Sequence, residues 1–176
     1  IQTEIPDVIL IKPRVLEDNR GFFMETYHVD KFYLGGIKCK FVQDNHTKSH
    51  KNTLRGLHFQ IQFPQAKLLR CLKGKVFDVA VDIRKDSTTY GKWVGKELSE
   101  ENKTIFWIPP GFAHGFIALE DDTIFTYKCT GVYNAESEGS LLWNDADLNI
   151  DWRINTPLVS DKDLLAESFE TFESQF

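Results

Sequence analysis

KVFDVAVDIR, residues 75–84, alternates along its whole length. Phe77, Val79, Val81 and Ile83 fall on one side of an extended chain. Val76, Asp78, Ala80 and Asp82 fall on the other, because successive side chains of a strand point to opposite faces. A helix would mix the two sets. The stretch therefore reads as a strand with one wholly apolar face. Its other face carries two carboxylates, which are either solvated or turned into a polar lumen, where they need partners.

Outward from this strand the chain repeats the pattern. Strand-like runs include VILIKPRVL (8–16), FFMETY (22–27), FVQDN (41–45), TLRGLHFQ (53–60) and AKLLRCL (66–72). KWVGKELS (92–99), TIFWIP (104–109), GFIALE (115–120) and TIFTYKCTGVY (123–133) continue the series. Turn signals such as EDNRG (17–21), KG (73–74), PPG (109–111) and EDD (120–122) separate several of them. TKSHKN (47–52) reads as a polar loop. VDKFYLGG (29–36) reads as a short helix closed by glycine, and DKDLLAESFETF (161–172) has helical apolar spacing. Many short strands with frequent turns predict an all-β sandwich or barrel with a few short peripheral helices, one domain over residues 1–176.

Composition narrows the function classes. Hydrophobic residues at 41% and charged residues at 27% are those of a folded domain and argue against disorder. The net charge of -5 and a pI near 5.5 argue against nucleic acid as the main partner. Cys39, Cys71 and Cys129 are odd in number and have no CxxC spacing, so neither a disulfide framework nor a structural zinc is expected. They fit a reducing cytoplasm. No apolar run is long enough to span a bilayer, and no signal peptide is visible. The 14 Phe, 5 Tyr and 4 Trp suit a β-rich core, with some available to line a pocket for a flat ligand.

LRGLHFQ (54–60) carries Arg55 and His58 on one strand. Strict alternation would put them on opposite faces. Gly56 between them is the residue type that marks a bulge, and one extra residue would bring both to the same side. Read alone, His58 suits a packed interior as well as a base, and His114 suits a structural role. His46 and His50 lie in a lysine-rich stretch and read as solvated. Neither LHFQ nor GFAHGF offers an HxH pair with a nearby carboxylate, so no metal is expected. One chemistry open to such a barrel is proton transfer at carbon beside a carbonyl. It needs a histidine oriented by a carboxylate, a cation for the enolate oxygen and an acid on the opposite face.

The ordered series DNRGFFMET, FVQDN, LRGLHFQ, FPQAKLLR, VFDVAVDIRKDSTTYGKW, LSEENK, WIPPGFAHGF, YKCTGVY, LLWNDADLNIDW and LVSDKD resembles the dTDP-4-dehydrorhamnose 3,5-epimerase family, from Ile5 to about Asp163. The resemblance implies a jelly-roll, cupin-like β-barrel acting as a homodimer. It implies a dTDP-linked 4-keto-6-deoxyhexose as substrate and no cofactor, while charge and hydropathy predict no nucleic-acid or membrane partner. It implies His58 as base with Asp163 as its partner, Tyr133 as the opposing acid, and Lys67 with Arg55 at the enolate oxygen. It further implies Arg20, Glu25, Gln43, Asn45 and His114 around the ligand, Phe22 near the thymine and across the dimer contact, and Asp78 supporting the lumen. The family's TDYYAP-like stretch is TGVYNA here, with Val132 for the first tyrosine and Ala135 for the proline. That departure leaves a single-centre epimerase or a ketoisomerase on a related nucleotide-linked ketosugar as the alternative. A non-catalytic nucleotide-sugar-binding barrel is the remaining one.

Overall fold

The computed structural model describes residues Ile1–Phe176. The strands are β1 (Ile9–Ile11), β2 (Val15–Asp18), β3 (Gly21–Met24), β4 (Gln43–Ser49), β5 (Leu54–Gln60) and β6 (Lys67–Lys73). They continue as β7 (Lys75–Asp82), β8 (Trp93–Ser99), β9 (Ile105–Ile108), β10 (Phe112–Ala118), β11 (Thr123–Cys129) and β12 (Glu138–Ser140). Two short helices, α1 (Val29–Leu34) and α2 (Asp161–Leu164), lie at the periphery. One five-stranded sheet runs β1-β9-β6-β11-β4 and the other β12-β5-β10-β7-β8, while β2 and β3 pair only with each other. This is the jelly-roll architecture of the cupin-like folds. No helix is long and apolar enough to cross a membrane.

The two faces of β7 explain the layering. Val76 and Ala80 meet Phe116 of the same sheet and Leu69, Phe106 and Phe125 of the other, forming the core between the sheets. Fully buried side chains such as Phe106 and Phe125 each contribute roughly 2–3 kcal/mol by leaving water. The apolar face of β7, with Phe77, Val79 and Val81 and with Ile83 just beyond its end, lies on the outside of the sandwich. There Leu148, Trp152, Phe169 and Phe172, from the last part of the chain, cover it. The carboxylate face therefore points inward, and Asp78 and Asp82 are both fully buried.

Two expectations are corrected. Thr47, Lys48 and Ser49 continue β4, in register with Phe125, Ile124 and Thr123 of β11. Their polarity reflects an edge strand, with His46 and Lys48 on its exposed positions and His50 exposed just beyond its end. The tail also departs from a long helix after one turn. The Glu167 carbonyl accepts from Leu142 N–H at 2.8 Å, and Glu167 N–H donates to the Ser140 carbonyl at 3.2 Å. Backbone groups used this way cannot also close helical turns. The spacing of Phe169 and Phe172 serves instead to cover the outer sheet face.

Asp82 shows how an inward carboxylate is satisfied. It accepts from Arg84 Nε at 2.9 Å and Nη2 at 2.7 Å, and from Ser87 Oγ and Thr89 Oγ1, each at 2.6 Å. Burial pushes the carboxyl up, but these hydrogen bonds outweigh it and hold the pKa at about 2, against 3.8 for a free aspartate. A depressed carboxylate adds stability that is present above pH 3.8 and lost as pH falls through about 2. The native chain should lose about 2 kcal/mol from this group across that window. Urea unfolding at stepped pH checks it: Asp82→Asn should be less stable near neutrality and should lack this part of the acid slope.

Candidate active site

β5 pairs with β10 through His58 opposite His114 and Arg55 opposite Phe116, with a register shift between. Two residues of β5, Gly56 and Leu57, thus span the one position, Gly115, between their partners. That is a β-bulge, and it puts Arg55 and His58 on one face. Gly56 sits at φ +111°, and a Cβ there would lie 2.5 Å from the His114 carbonyl oxygen and 2.6 Å from Gly115 Cα. Only glycine admits both the conformation and the approach.

The bulge also receives a carboxylate from far along the chain. Ser160 caps α2 and its Oγ accepts from Asp163 N–H at 3.2 Å. Ser160 and Asp163 have the spacing of a capping box, in which the acid would reach back to the cap. Here Asp163 Oδ1 instead bonds His58 Nε2 at 2.6 Å, and Oδ2 accepts the Gly56 N–H at 3.4 Å. Burial pushes the Asp163 carboxyl up, but the hydrogen bond and charge of His58 lead the opposing effects and hold it below the usual range. The Asp163 side chain is 4% exposed and that of His58 30%, so the carboxylate is shut from water while the imidazole opens to the cavity. An ionised Asp163 makes Nε2 the protonated nitrogen and leaves Nδ1 free to take a proton.

Beneath this pair lies a second imidazole. His114 Nε2 bonds Asp78 Oδ2 at 2.9 Å, and Lys67 Nζ lies 3.4 Å from His114 Nδ1. Burial drives His114 well below its ordinary pKa, reinforced by the charges of Lys67 and His58. Burial likewise raises Asp78 well above the carboxylate range, against the pull of Lys67. Lys67 is itself lowered by burial, opposed by Cys129, Asp78 and Glu138. An ammonium held with so little solvent is a strong electrostatic partner for an anion arriving in the cavity.

Tyr133 follows β11 in an exposed loop. Its Oη donates to Glu138 Oε2 at 2.8 Å, and Glu138 also pairs with Lys162 of α2. The bond to Glu138, then burial, raises the phenol's pKa and keeps it protonated. On β4, Gln43 Nε2 donates to Asn45 Oδ1 at 3.0 Å, and Asn45 Nδ2 contacts Cys129 Sγ at 3.6 Å. Arg55 Nε reaches Ser49 Oγ at 3.4 Å.

Two cavities share His58, Lys67 and Tyr127 as a common wall. One, of about 280 Å³, adds Gln43, Asn45, Tyr133 and Glu138. The other, of about 450 Å³, adds Arg55, His114 and Asp163. The fold thus gathers His58, Asp163, Lys67, Tyr133, Arg55, Gln43, Asn45 and His114 around two adjoining cavities, with Asp78 bonded to His114. It does not bring Arg20, Phe22 and Glu25 there. Arg20 pairs with Asp18, and Glu25 with Lys31 at 2.7 Å. Phe22 is exposed beneath Lys103, and the depression beside Arg20 and Phe22 shares no residue with the cavities. Sequence reasoning missed Glu138, Gln60 and Tyr127. Only Tyr127 had a signal, because strand parity in TIFTYKC places it with buried Phe125 and Cys129.

An imidazole backed by a buried carboxylate, an ammonium beside it and a protonated phenol on the same cavity can move a proton on and off carbon next to a carbonyl. The sequence profile of the dTDP-4-dehydrorhamnose 3,5-epimerase family matches residues 2–171. The chain belongs to that family. It is 53% identical over 171 residues to dTDP-4-dehydrorhamnose 3,5-epimerase of Shigella flexneri, covering 96% of this chain and 94% of that one. It is 55% identical over 169 residues to the Salmonella typhimurium enzyme of the same name, covering 94% and 92%. The crystal structure of a Legionella pneumophila dTDP-6-deoxy-D-glucose-3,5-epimerase, in complex with dTDP-4-keto-L-rhamnose, is similar with a TM-score of 0.95. That pair shares 47% identity over 98% of this chain and 93% of the other. The chain is thus an isomerase of the carbohydrate-epimerase type.

Gly56→Ala tests the bulge. The added methyl meets backbone, which cannot swing aside, so the variant should lose about 2–4 kcal/mol of stability. Chemical denaturation measures the loss. An unfolding curve within experimental error of the wild type would show that β5 can re-register without cost.

Proposed function

We propose that the chain takes a dTDP-linked 4-keto-6-deoxyhexose and inverts it at C3 and C5 without a cofactor. The observation that carries this reading is the His58–Asp163 pair opening onto a space that also holds Lys67 and Tyr133. C3 and C5 are the two carbons beside the C4 ketone, so one base and one oxyanion site serve both. In this scheme His58 Nδ1 takes the proton and Asp163 steadies the imidazolium. Lys67, with Arg55, stabilises the charge on O4. Tyr133 gives a proton to the opposite face, and solvent exchange returns both groups to their starting states. The three free cysteines suit a reducing cytoplasm.

The test is proton NMR of dTDP-4-keto-6-deoxyglucose in deuterated water. Deuterium should enter at both C3 and C5, with inversion. Label at one centre only would reassign the chain as a single-centre epimerase. Bound dTDP with no exchange at all would overturn the enzymatic reading for this sugar. His58→Ala should lose exchange by roughly 10²–10⁴-fold with dTDP binding little changed.

The reading also includes a homodimer. The β2–β3 hairpin exposes Leu16, Phe22 and Phe23, while β4, which carries Gln43 and Asn45, is an open sheet edge. In the proposed dimer each hairpin brings Arg20, Phe22 and Glu25 to its partner's cavity. Mixing inactive Arg20→Ala with inactive His58→Ala should then restore activity, because each mixed dimer holds one site with both residues intact. Hairpins acting within their own protomer would give no recovery.

A further inference from the structure

Tyr133 stands in TGVYNA, a loop that buries little to hold itself in place. Val132 is 64% exposed and Tyr133 53%. Its backbone is held by side chains instead. Gln60 Nε2 donates to the Val132 carbonyl at 3.1 Å, and Gln60 Oε1 accepts from Asn134 N–H at 2.8 Å. The same Nε2 donates to the Phe63 carbonyl at 2.8 Å, and Gln43 Oε1 accepts from Tyr133 N–H at 2.8 Å. One buried amide therefore bonds the residues immediately before and after Tyr133.

We propose that Gln60 is a positioning residue that holds the Tyr133 phenol where it can reprotonate the sugar from the face opposite His58. The inference rests on the reading of Tyr133 as the acid. Both N–H groups of Gln60 are used inside the protein, so it has none left for the substrate and acts through the loop. It sits two residues after His58 on β5, so one strand carries the base and the anchor of the acid. Gln60 is 5% exposed, and this burial shields its bonds from competing water.

A displaced acid leaves a specific trace. His58 still removes the proton, exchanges it with solvent and returns deuterium to the original face, so label enters without inversion. Gln60→Met removes all three bonds at similar volume. It should lower kcat for inversion roughly 10–100-fold with KM little changed. The ratio of label with retention to label with inversion should rise at least about tenfold, by the same loss of acid catalysis. Adding Gln60→Met to Tyr133→Phe should cost nothing further, because both act on one step. Gln60→Glu keeps the Asn134 bond and should fall between Gln60→Met and wild type; it carries the test if Gln60→Met does not fold. Exchange and inversion falling in the same proportion would overturn the proposal, as would a full additive loss in the double variant. If Tyr133→Phe alone inverts at the wild-type rate, the acid assignment fails and takes the proposal with it. If Tyr133→Phe stops inversion while the Gln60 variants invert normally, only the role of Gln60 fails.

Discussion

Between Arg55 and His58 the strand β5 carries one more residue than the strand it pairs with, and the geometry of the candidate site follows from absorbing it. The extra residue turns the guanidinium and the imidazole to one face. The glycine that absorbs it lies close against the His114–Gly115 backbone, which no larger residue could do. Its freed N–H reaches Asp163, the carboxylate that also bonds His58. Sheet register, the orientation of the imidazole and the docking of α2 are thus settled at one position.

The floor of the cavity is built from groups that burial pushes toward their neutral forms. Asp78, His114 and Lys67 form a chain with few charges at hand to compensate one another. Such a site is poorly solvated before substrate arrives, and it favours a reaction in which negative charge appears beside Lys67. The contrast with Asp82 is instructive. That carboxylate is as buried, yet it has four donated hydrogen bonds from neighbouring side chains and stays firmly ionised. One strand face carries both a fully paired carboxylate and one, Asp78, whose only side-chain hydrogen bond is to His114.

Much of the fold was legible in alternation. The parity of β7 separated its faces correctly, and the LRGLHFQ strand and its bulge followed from strand pattern plus glycine. Pattern failed where backbone bonding outside the local segment decided the outcome. The tail has helical spacing, but Glu167 is drawn to Ser140 and Leu142. In the site, local chemistry named candidates but could not bring them together. His58 and Asp163 lie 105 residues apart, and their meeting was expected only from family resemblance. Glu138 and Gln60 carry no signature, because an exposed-looking glutamate and a strand glutamine become informative only once their partners are placed.

α2 is a single turn, yet two adjacent residues of it are tied to both of the groups proposed to react. Asp163 holds His58, while Lys162 holds Glu138, which in turn holds the Tyr133 phenol. In the proposed reaction the imidazole and the phenol must stand one sugar ring apart. Because both chains of contact start from one turn, a displacement of that turn would disturb the imidazole and the phenol together. The relative placing of the two groups thus depends on four residues near the end of the chain, outside both the strand that carries the imidazole and the loop that carries the phenol.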